Sequence, residues 1–462
     1  MLEELASAVR GGGVTSGELV RSSLDRIERL DPTLNAVIST RAEQAIEEAR
    51  TIDARVAAGE DPGPLAGLPL LVKDMEDVAG VPTTYGSLAF AEAAPARTDG
   101  LIPRRLRTAG AVVVGKTNQP EFAFAGFTDN LLYGATVNPW GTEWSPGGSS
   151  GGSGAAIAAG MAAIATSTDG GGSIRIPAAF CGLAGLKPTA GVIGREPIPD
   201  WIDLSTFGPF ATSIADLRLL LSVEAGPVPG DPTALPSALP MRDELPRRVL
   251  AAPRWIDWGP LPDGIRASFE AALSSIERDL GLPIEPVAPG TIFRSGNIDE
   301  DWFVTCATEH IHHLGRAFCE ENLERFSGLF RGVVEAARGF SLDDYLDARR
   351  RRFAYVRECD ELLGDDAVMV TPTLCYEGWR PDGVEPTTGR EPDGEGYNTD
   401  TQNITGNPAL SVPAGVSANG IPFGITFTGP RFRDDLVLAM GEAWERANPW
   451  PLAAPGYEPF AS

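Results

Sequence analysis

An α/β chain is expected from this sequence of 462 residues, on three observations. Apolar runs of strand length, Gly67 to Val72 and Ala111 to Val114, alternate with segments of helical periodicity. Hydrophobic residues make up 43% and charged residues 22%, the balance of a globular chain rather than a disordered, collagen-like or membrane-spanning one. The length admits two or three ordinary domains or one large one, with ample residues for a buried core.

In chain order, Thr15 and Glu18 have the spacing of a capping box, and Leu19, Leu24, Ile27 and Leu30 recur at helical intervals, so a helix is expected from Thr15 to Leu30. A second amphipathic helix is expected from Arg41 to Ala58, ended by Gly59. The run Gly67 to Val72 suits a buried strand with Lys73 and Asp74 at its end. Ala111 to Val114 suits another, entered from a helical stretch through Ala109 and Gly110. From Gly141 to Leu186, 12 of 46 positions are glycine, a density that marks close backbone approach rather than core packing. A Pro-rich stretch, Gly226 to Pro246, reads as a connection. Helices follow near Ile265 to Leu280 and Leu342 to Leu363, then strands at Ala367 to Val370, Ala409 to Val412 and Phe423 to Phe427. The acidic, Gly- and Pro-rich segment 376–402 has no periodicity and reads equally as a lid or as disorder.

Charge and cysteine content narrow the partners. With 38 Lys and Arg against 63 Asp and Glu, the net charge is −25, a field that repels nucleic acid and anionic lipid. The basic run Arg349 to Arg352 reads as a solvated helix face. Five cysteines (Cys181, Cys306, Cys319, Cys359, Cys375) without a CxxC pair suggest neither a disulfide framework nor a zinc site, and fit a reducing cytoplasm. Neither a leader nor a spanning segment is expected, the longest weakly polar stretch being Gly154 to Ala165. The sequence leaves a homo-oligomer open.

Gly110 to Thr117 matches the phosphate-loop pattern GxxxxGK[ST] letter for letter. Its four intervening residues, however, read as a strand, and Pro120 interrupts the helix that should begin at Lys116. A buried strand is therefore expected there, and a nucleotide binder is the weaker reading. More informative is Gly147-Gly148-Ser149-Ser150-Gly151-Gly152-Ser153-Gly154, then an alanine-rich segment, then Thr168-Asp169-Gly170-Gly171-Gly172-Ser173-Ile174-Arg175. Glycines leading into Ser173 leave backbone N–H groups free to meet a developing oxyanion, as acyl transfer demands, although Gly/Ser runs also serve as linkers and anion nests.

Two segments are specific: SPGGSSGGSGAAIA and TDGGGSIRIPAAFCGLAGLKPT, within Ser145 to Thr189. With Lys73 in LPLLVKD ahead of them, the chain resembles the amidase signature family, from TSGELV near Ser16 to the region Gly415 to Trp450. The resemblance implies one large domain, residues 1–462, with a mixed sheet covered by helices. Within it would lie a helical part to about residue 60, a core at about 61–225, the connection at 226–246 and a C-terminal part from 247. It implies an amidase that hydrolyses a small-molecule carboxylic amide through a Ser-cisSer-Lys set without cofactor or metal. Residue by residue, the lysine falls on Lys73, the cis-serine on Ser149 and the nucleophile on Ser173. The oxyanion amides fall on Gly170, Gly171, Gly172 and Ser173, and the supporting pair on Asp169 and Arg175. A rival within the family is the glutamyl-tRNA(Gln) amidotransferase A-type subunit, which releases ammonia from glutamine. The Asn-Leu-Ser-Arg-Tyr-Asp-like segment of those subunits has no counterpart near Cys306 to Arg316.

The triad is coherent chemically. A serine hydroxyl needs a base, and the three histidines all lie within His310 to His313, which leaves lysine as the candidate. An ordinary lysine, with a pKa of about 10.4, is neutral only about 0.04% of the time at pH 7, so burial has to bring Lys73 to about 7 to 8. Ser149 would relay the proton, a hydroxyl being both donor and acceptor. The histidines read as a polar helix face rather than metal ligands, Cys306 and Cys319 as buried apolar groups with Cys306 able to line a pocket, and Ser150 and Ser153 as partners of backbone at a helix start. Trp140, Trp144 and Trp201 read first as core, second as walls of an apolar acyl pocket.

Overall fold

The computed structural model describes residues 1–386, 389 and 396–460. Thr15 caps the helix Ser16–Leu34 as its spacing to Glu18 predicts, each side chain bonding the other residue's backbone N–H. Helix Ala42–Ala57 follows, and between the two lies a strand that the sequence did not announce, Val37–Thr40. That strand forms the edge of a four-stranded sheet ordered Val37–Thr40, Val112–Thr117, Pro69–Lys73, Ile164–Ala165. The edge strand is antiparallel and the other pairings are parallel. All five residues of Pro69–Lys73 are buried, as an apolar run flanked by neighbours on both sides requires, and Lys73 is carried to the strand's C-terminal end.

A seven-stranded mixed sheet runs Ile284–Pro286, Arg248–Ala251, Ala367–Pro372, Pro422–Thr428, Ala409–Val416, Ala184–Lys187, Phe210–Ala211. A third, two-stranded piece pairs Thr168–Asp169 with Thr206–Phe207. The mixed sheet expected from the sequence is thus present in three pieces, covered by helices. The wholly buried helix Gly151–Ala158 packs on the four-stranded sheet and against helix Arg175–Cys181, which in turn packs on the seven-stranded sheet, and at Gly152 even a Cβ would sit 2.5 Å from the Asn118 carbonyl oxygen. Helices Asp263–Leu280 and Leu342–Leu363 lie where the periodicity put them. Helices Ile298–Leu314 and Gly328–Gly339, which the sequence reading did not single out, build a second aromatic core against Phe122 and Phe124. Among the described residues no helix is long and apolar enough to cross a membrane.

Two expectations are corrected here. The run Arg349 to Arg352 is not a solvated face: Arg349 pairs with Asp203 and Glu309, Arg351 with Asp301 and Arg352 with Asp203, leaving Arg350 exposed. The histidines do not share one polar face either. His310 is buried among Phe122, Phe124, Trp201 and Phe330, with Nδ1 3.0 Å from Asp200, while His313 is exposed and meets the same carboxylate at 3.1 Å. No metal-holding group of His, Cys, Asp and Glu exists among the described residues.

The phosphate-loop match is a strand, Val112–Thr117, with Lys116 sealed in the interior. Its Nζ lies 2.9 Å from Asp74 and donates to Thr83 and the Pro82 carbonyl. Lys116→Met strands the Asp74 charge, and is expected to cost about 3 to 5 kcal/mol of stability in denaturant unfolding. The folded fraction is expected to keep amide turnover within a few fold. Micromolar ATP binding lost with the same substitution would restore the nucleotide reading.

Candidate active site

Strand Pro69–Lys73, the turn before helix Gly151–Ala158 and the turn before helix Arg175–Cys181 converge on one point. Lys73 is fully buried, and its Nζ donates to three hydroxyls: Ser149 at 2.7 Å, Ser150 at 2.9 Å and Thr168 at 2.9 Å. Burial lowers its pKa to about 7, opposed by the charges of Glu76 and Asp169. A neutral amine has two N–H groups and one lone pair, so one of the three hydroxyls then has to donate to nitrogen. Ser149, the nearest, sits after a cis peptide bond from Gly148. Ser150 therefore faces the lysine rather than the helix start, a correction to the sequence reading, and Ser153 pairs with Thr117 at 2.6 Å.

Ser173 is 8% exposed, in contrast to Ser149 and Ser150 at 0%, and it lines two cavities. The larger, about 710 Å³, has walls of Phe124, Phe127, Trp201, Trp302, Phe303 and Val333, among others. The smaller, about 150 Å³, reaches Ser149, Thr168, Gly170, Arg195 and Asp200. Of the three tryptophans singled out in the sequence, Trp201 alone lines both. Trp140 bonds the Cys181 carbonyl beside a separate surface groove, and Trp144 packs under Arg380. Cys306 is fully buried and lines neither cavity.

Behind Ser173, Asp169 and Arg175 form a fully buried pair at 2.8 Å. Burial alone would raise the Asp169 pKa, but Arg175 and the hydrogen bonds of Asn403 hold it below the usual carboxylate range. The Gly172 N–H donates to Asp169 at 2.8 Å and the Ile174 N–H at 3.2 Å, so the carboxylate shapes the loop. Of the four N–H groups expected to meet an oxyanion, that of Gly172 is therefore already given to Asp169, which leaves Gly170, Gly171 and Ser173 as candidates. The guanidinium of Arg175 is completed by Gln402 and Asn403, each at 2.7 Å. A second buried lysine, Lys187, is also lowered to about 7 by burial, but it donates to the Pro188 carbonyl and borders neither cavity at Ser173.

The Amidase family profile matches residues 18–438. The chain belongs to the amidase signature family. It is 32% identical to an acylamidase of Rhodococcus erythropolis, over 97% of this chain and 95% of that one. It is 34% identical to the A-type subunit of the glutamyl-tRNA(Gln) amidotransferase of Synechococcus sp. (strain CC9605), over 95% and 94%. Among solved structures it superposes on a bacterial aryl acylamidase of the amidase signature enzymes with a TM-score of 0.88 and 27% identity, covering 96% and 95% of the two chains. As an amidase signature protein it is a hydrolase of carbon–nitrogen bonds in amides.

Several residues around this amidase signature site escaped the sequence reading. Thr168 stands in the quoted block and carried no signal beyond its hydroxyl. Gln402 and Asn403, a polar pair just ahead of the apolar strand Ala409–Val416, were the legible hint of a buried polar role. Glu76, buried and three residues from Lys73, is pushed up to about 7 by burial.

Proposed function

We propose that this amidase cleaves linear carboxylic amides bearing a bulky apolar or aromatic group, through an acyl-enzyme on Ser173. Ser173 Oγ attacks the carbonyl carbon, its proton passes to Ser149, and that of Ser149 to the neutral amine of Lys73. The carbonyl oxygen, now anionic, is received by N–H groups of Gly170, Gly171 and Ser173. Collapse breaks the C–N bond, and the amine leaves with a proton returned from Lys73 through Ser149. Water, deprotonated along the same relay, then hydrolyses the ester and frees Ser173. Asp169 and Arg175 keep the loop in shape.

The observation that carries the substrate class is the 710 Å³ cavity with aromatic walls beside Ser173. No lysine or arginine lines it among the described residues, so an α-carboxylate such as that of glutamine finds no cation there. Of the two cavities at Ser173 only the smaller, of about 150 Å³, is lined by an arginine, Arg195, so the large aromatic cavity favours an acyl or aryl amidase over the glutamine-hydrolysing enzyme. The net charge of −25 supports a small-molecule partner rather than a nucleic acid. Five free, buried cysteines support a reducing, cytoplasmic setting.

The test is a panel of aliphatic amides of rising chain length, anilides, peptide amides and glutamine, with amine or ammonia release measured. Each methylene that reaches the cavity is expected to raise kcat/KM about fourfold, the equivalent of about 0.8 kcal/mol. Glutamine turned over better than every anilide would reverse the choice.

A further inference from the structure

The glycine loop ahead of Ser173 is gripped by two residues far from it in sequence. A peptide unit is planar and trans, so the carbonyl of one residue and the N–H of the next point in opposite directions. A donor that captures the carbonyl therefore aims the following N–H the other way. The Gly170 carbonyl accepts from Trp302 Nε1–H at 2.8 Å, and the Gly171 carbonyl from the Thr399 hydroxyl at 2.6 Å. Contact reinforces both bonds. A Cβ on Gly171 would lie 2.6 Å from the Trp302 ring, and one on Gly172 would lie 2.3 Å from Thr399 Oγ1. Trp302 belongs to helix Ile298–Leu314 and Thr399 precedes helix Thr401–Thr405, both outside the glycine- and serine-rich block.

We propose that Trp302 and Thr399 are positioning residues for the oxyanion loop, Trp302 setting the direction of the Gly171 N–H and Thr399, together with Asp169, fixing the Gly171–Gly172 peptide unit that follows it. The inference rests on the reading of Gly170 to Ser173 as the receiver of the oxyanion. The unit between Gly170 and Gly171 is flanked by two residues without Cβ, and the backbone freedom of glycine lets it rotate once its carbonyl is released. The next unit is fixed at both ends, by Thr399 on the carbonyl and by Asp169 on the Gly172 N–H. Trp302 has a second contact, because its ring is also a wall of the 710 Å³ cavity. A substrate group filling that cavity rests on the side chain that holds the loop, so binding of the apolar group and orientation of the oxyanion donor share one residue. An oxyanion donor matters most when the carbonyl oxygen is charged, so loosening it lowers kcat more than it raises KM.

The experiment compares Trp302→Phe, Thr399→Val and Thr399→Ser on one anilide and one short aliphatic amide, with labelling of Ser173 by a fluorophosphonate as a separate readout. Trp302→Phe keeps an aromatic wall and removes the N–H, and is expected to lower kcat about 10- to 100-fold on both substrates with KM within about twofold. Thr399→Val is expected to lower kcat about tenfold, and Thr399→Ser, which restores the hydroxyl, to return it to within about twofold of wild type. Wild-type kcat in Trp302→Phe and Thr399→Val overturns the proposal. So does a rise in KM alone in Trp302→Phe, which would leave the ring as a wall only, or equal losses in the two Thr399 variants, which would mark a packing effect. Should Trp302→Phe fail to fold, the Thr399 pair decides. Wild-type enzyme that is not labelled at Ser173 would instead sink the underlying reading of the loop.

Discussion

Replacing Ser173 with alanine is expected to abolish fluorophosphonate labelling and to cut kcat by about a million-fold, the scale on which nucleophile removal acts in serine hydrolases. The expectation follows from access as much as from chemistry. Ser173 opens on both cavities, whereas Ser149 touches only the smaller one, Ser150 touches neither, and both are bonded to Lys73 Nζ. An electrophile entering from the larger cavity reaches Ser173 first. What survives in Ser173→Ala should be the contribution of the oxyanion donors and of substrate binding, which do not need the hydroxyl. Intact-protein mass spectrometry reads the adduct directly. An adduct that persists in the variant and maps to Ser149 or Ser150 would reverse the assignment of nucleophile and relay.

How much of this was legible in the sequence depended on how local each cause is. Thr15 caps its helix through Glu18, three residues away, and the apolar run ending at Lys73 declares a buried strand whatever its neighbours are. The block Ser149 to Arg175 stood out for a similar reason, being one contiguous stretch, but its glycines and serines alone also fit a linker or an anion nest, and it was the resemblance to a family that assigned its residues roles. Long-range causes left no trace. The strand Val37–Thr40 is polar at half its positions and exists because Val112–Thr117 offers an edge to pair with. Arg349, Arg351 and Arg352 look like a solvated face until Asp203, Glu309 and Asp301 arrive from other segments. Trp302 and Thr399 stand 132 and 228 residues from the carbonyls they hold, so no pattern within the glycine block could name them. The phosphate-loop letters were outweighed by a local cause, the preference of Ala-Val-Val-Val for extended backbone, and the segment is the strand Val112–Thr117.

Removing the amine in Lys73→Ala is expected to cost several orders of magnitude in kcat/KM, and Lys73→Arg is expected not to restore it, because a guanidinium stays protonated and cannot accept the relay proton. The pH profile carries the sign. In the proposed mechanism Lys73 works as the neutral amine, so with a pKa lowered by burial to about 7 the rate is expected to rise tenfold per unit below pH 7 and to level above it. An unburied lysine would place that limb more than about three units higher. Glu76 tunes it. Its charge favours the ammonium form of Lys73, so Glu76→Gln removes a force that raises the lysine pKa and should move the limb to lower pH. Glu76, itself raised to about 7, titrates with the lysine, and the limb therefore belongs to the pair. An imidazole would give a limb near about 6.5, too close for its position alone to decide, so the variants have to. His310 lies among aromatic rings against Asp200, and its replacement together with His312 and His313 should leave the limb in place. Lys187→Met is the matching control for the other lysine lowered to about 7. A limb that vanishes with the histidines or with Lys187, while Lys73→Ala stays active, would show that the base lies elsewhere and that the three hydroxyls around Lys73 only hold it in place.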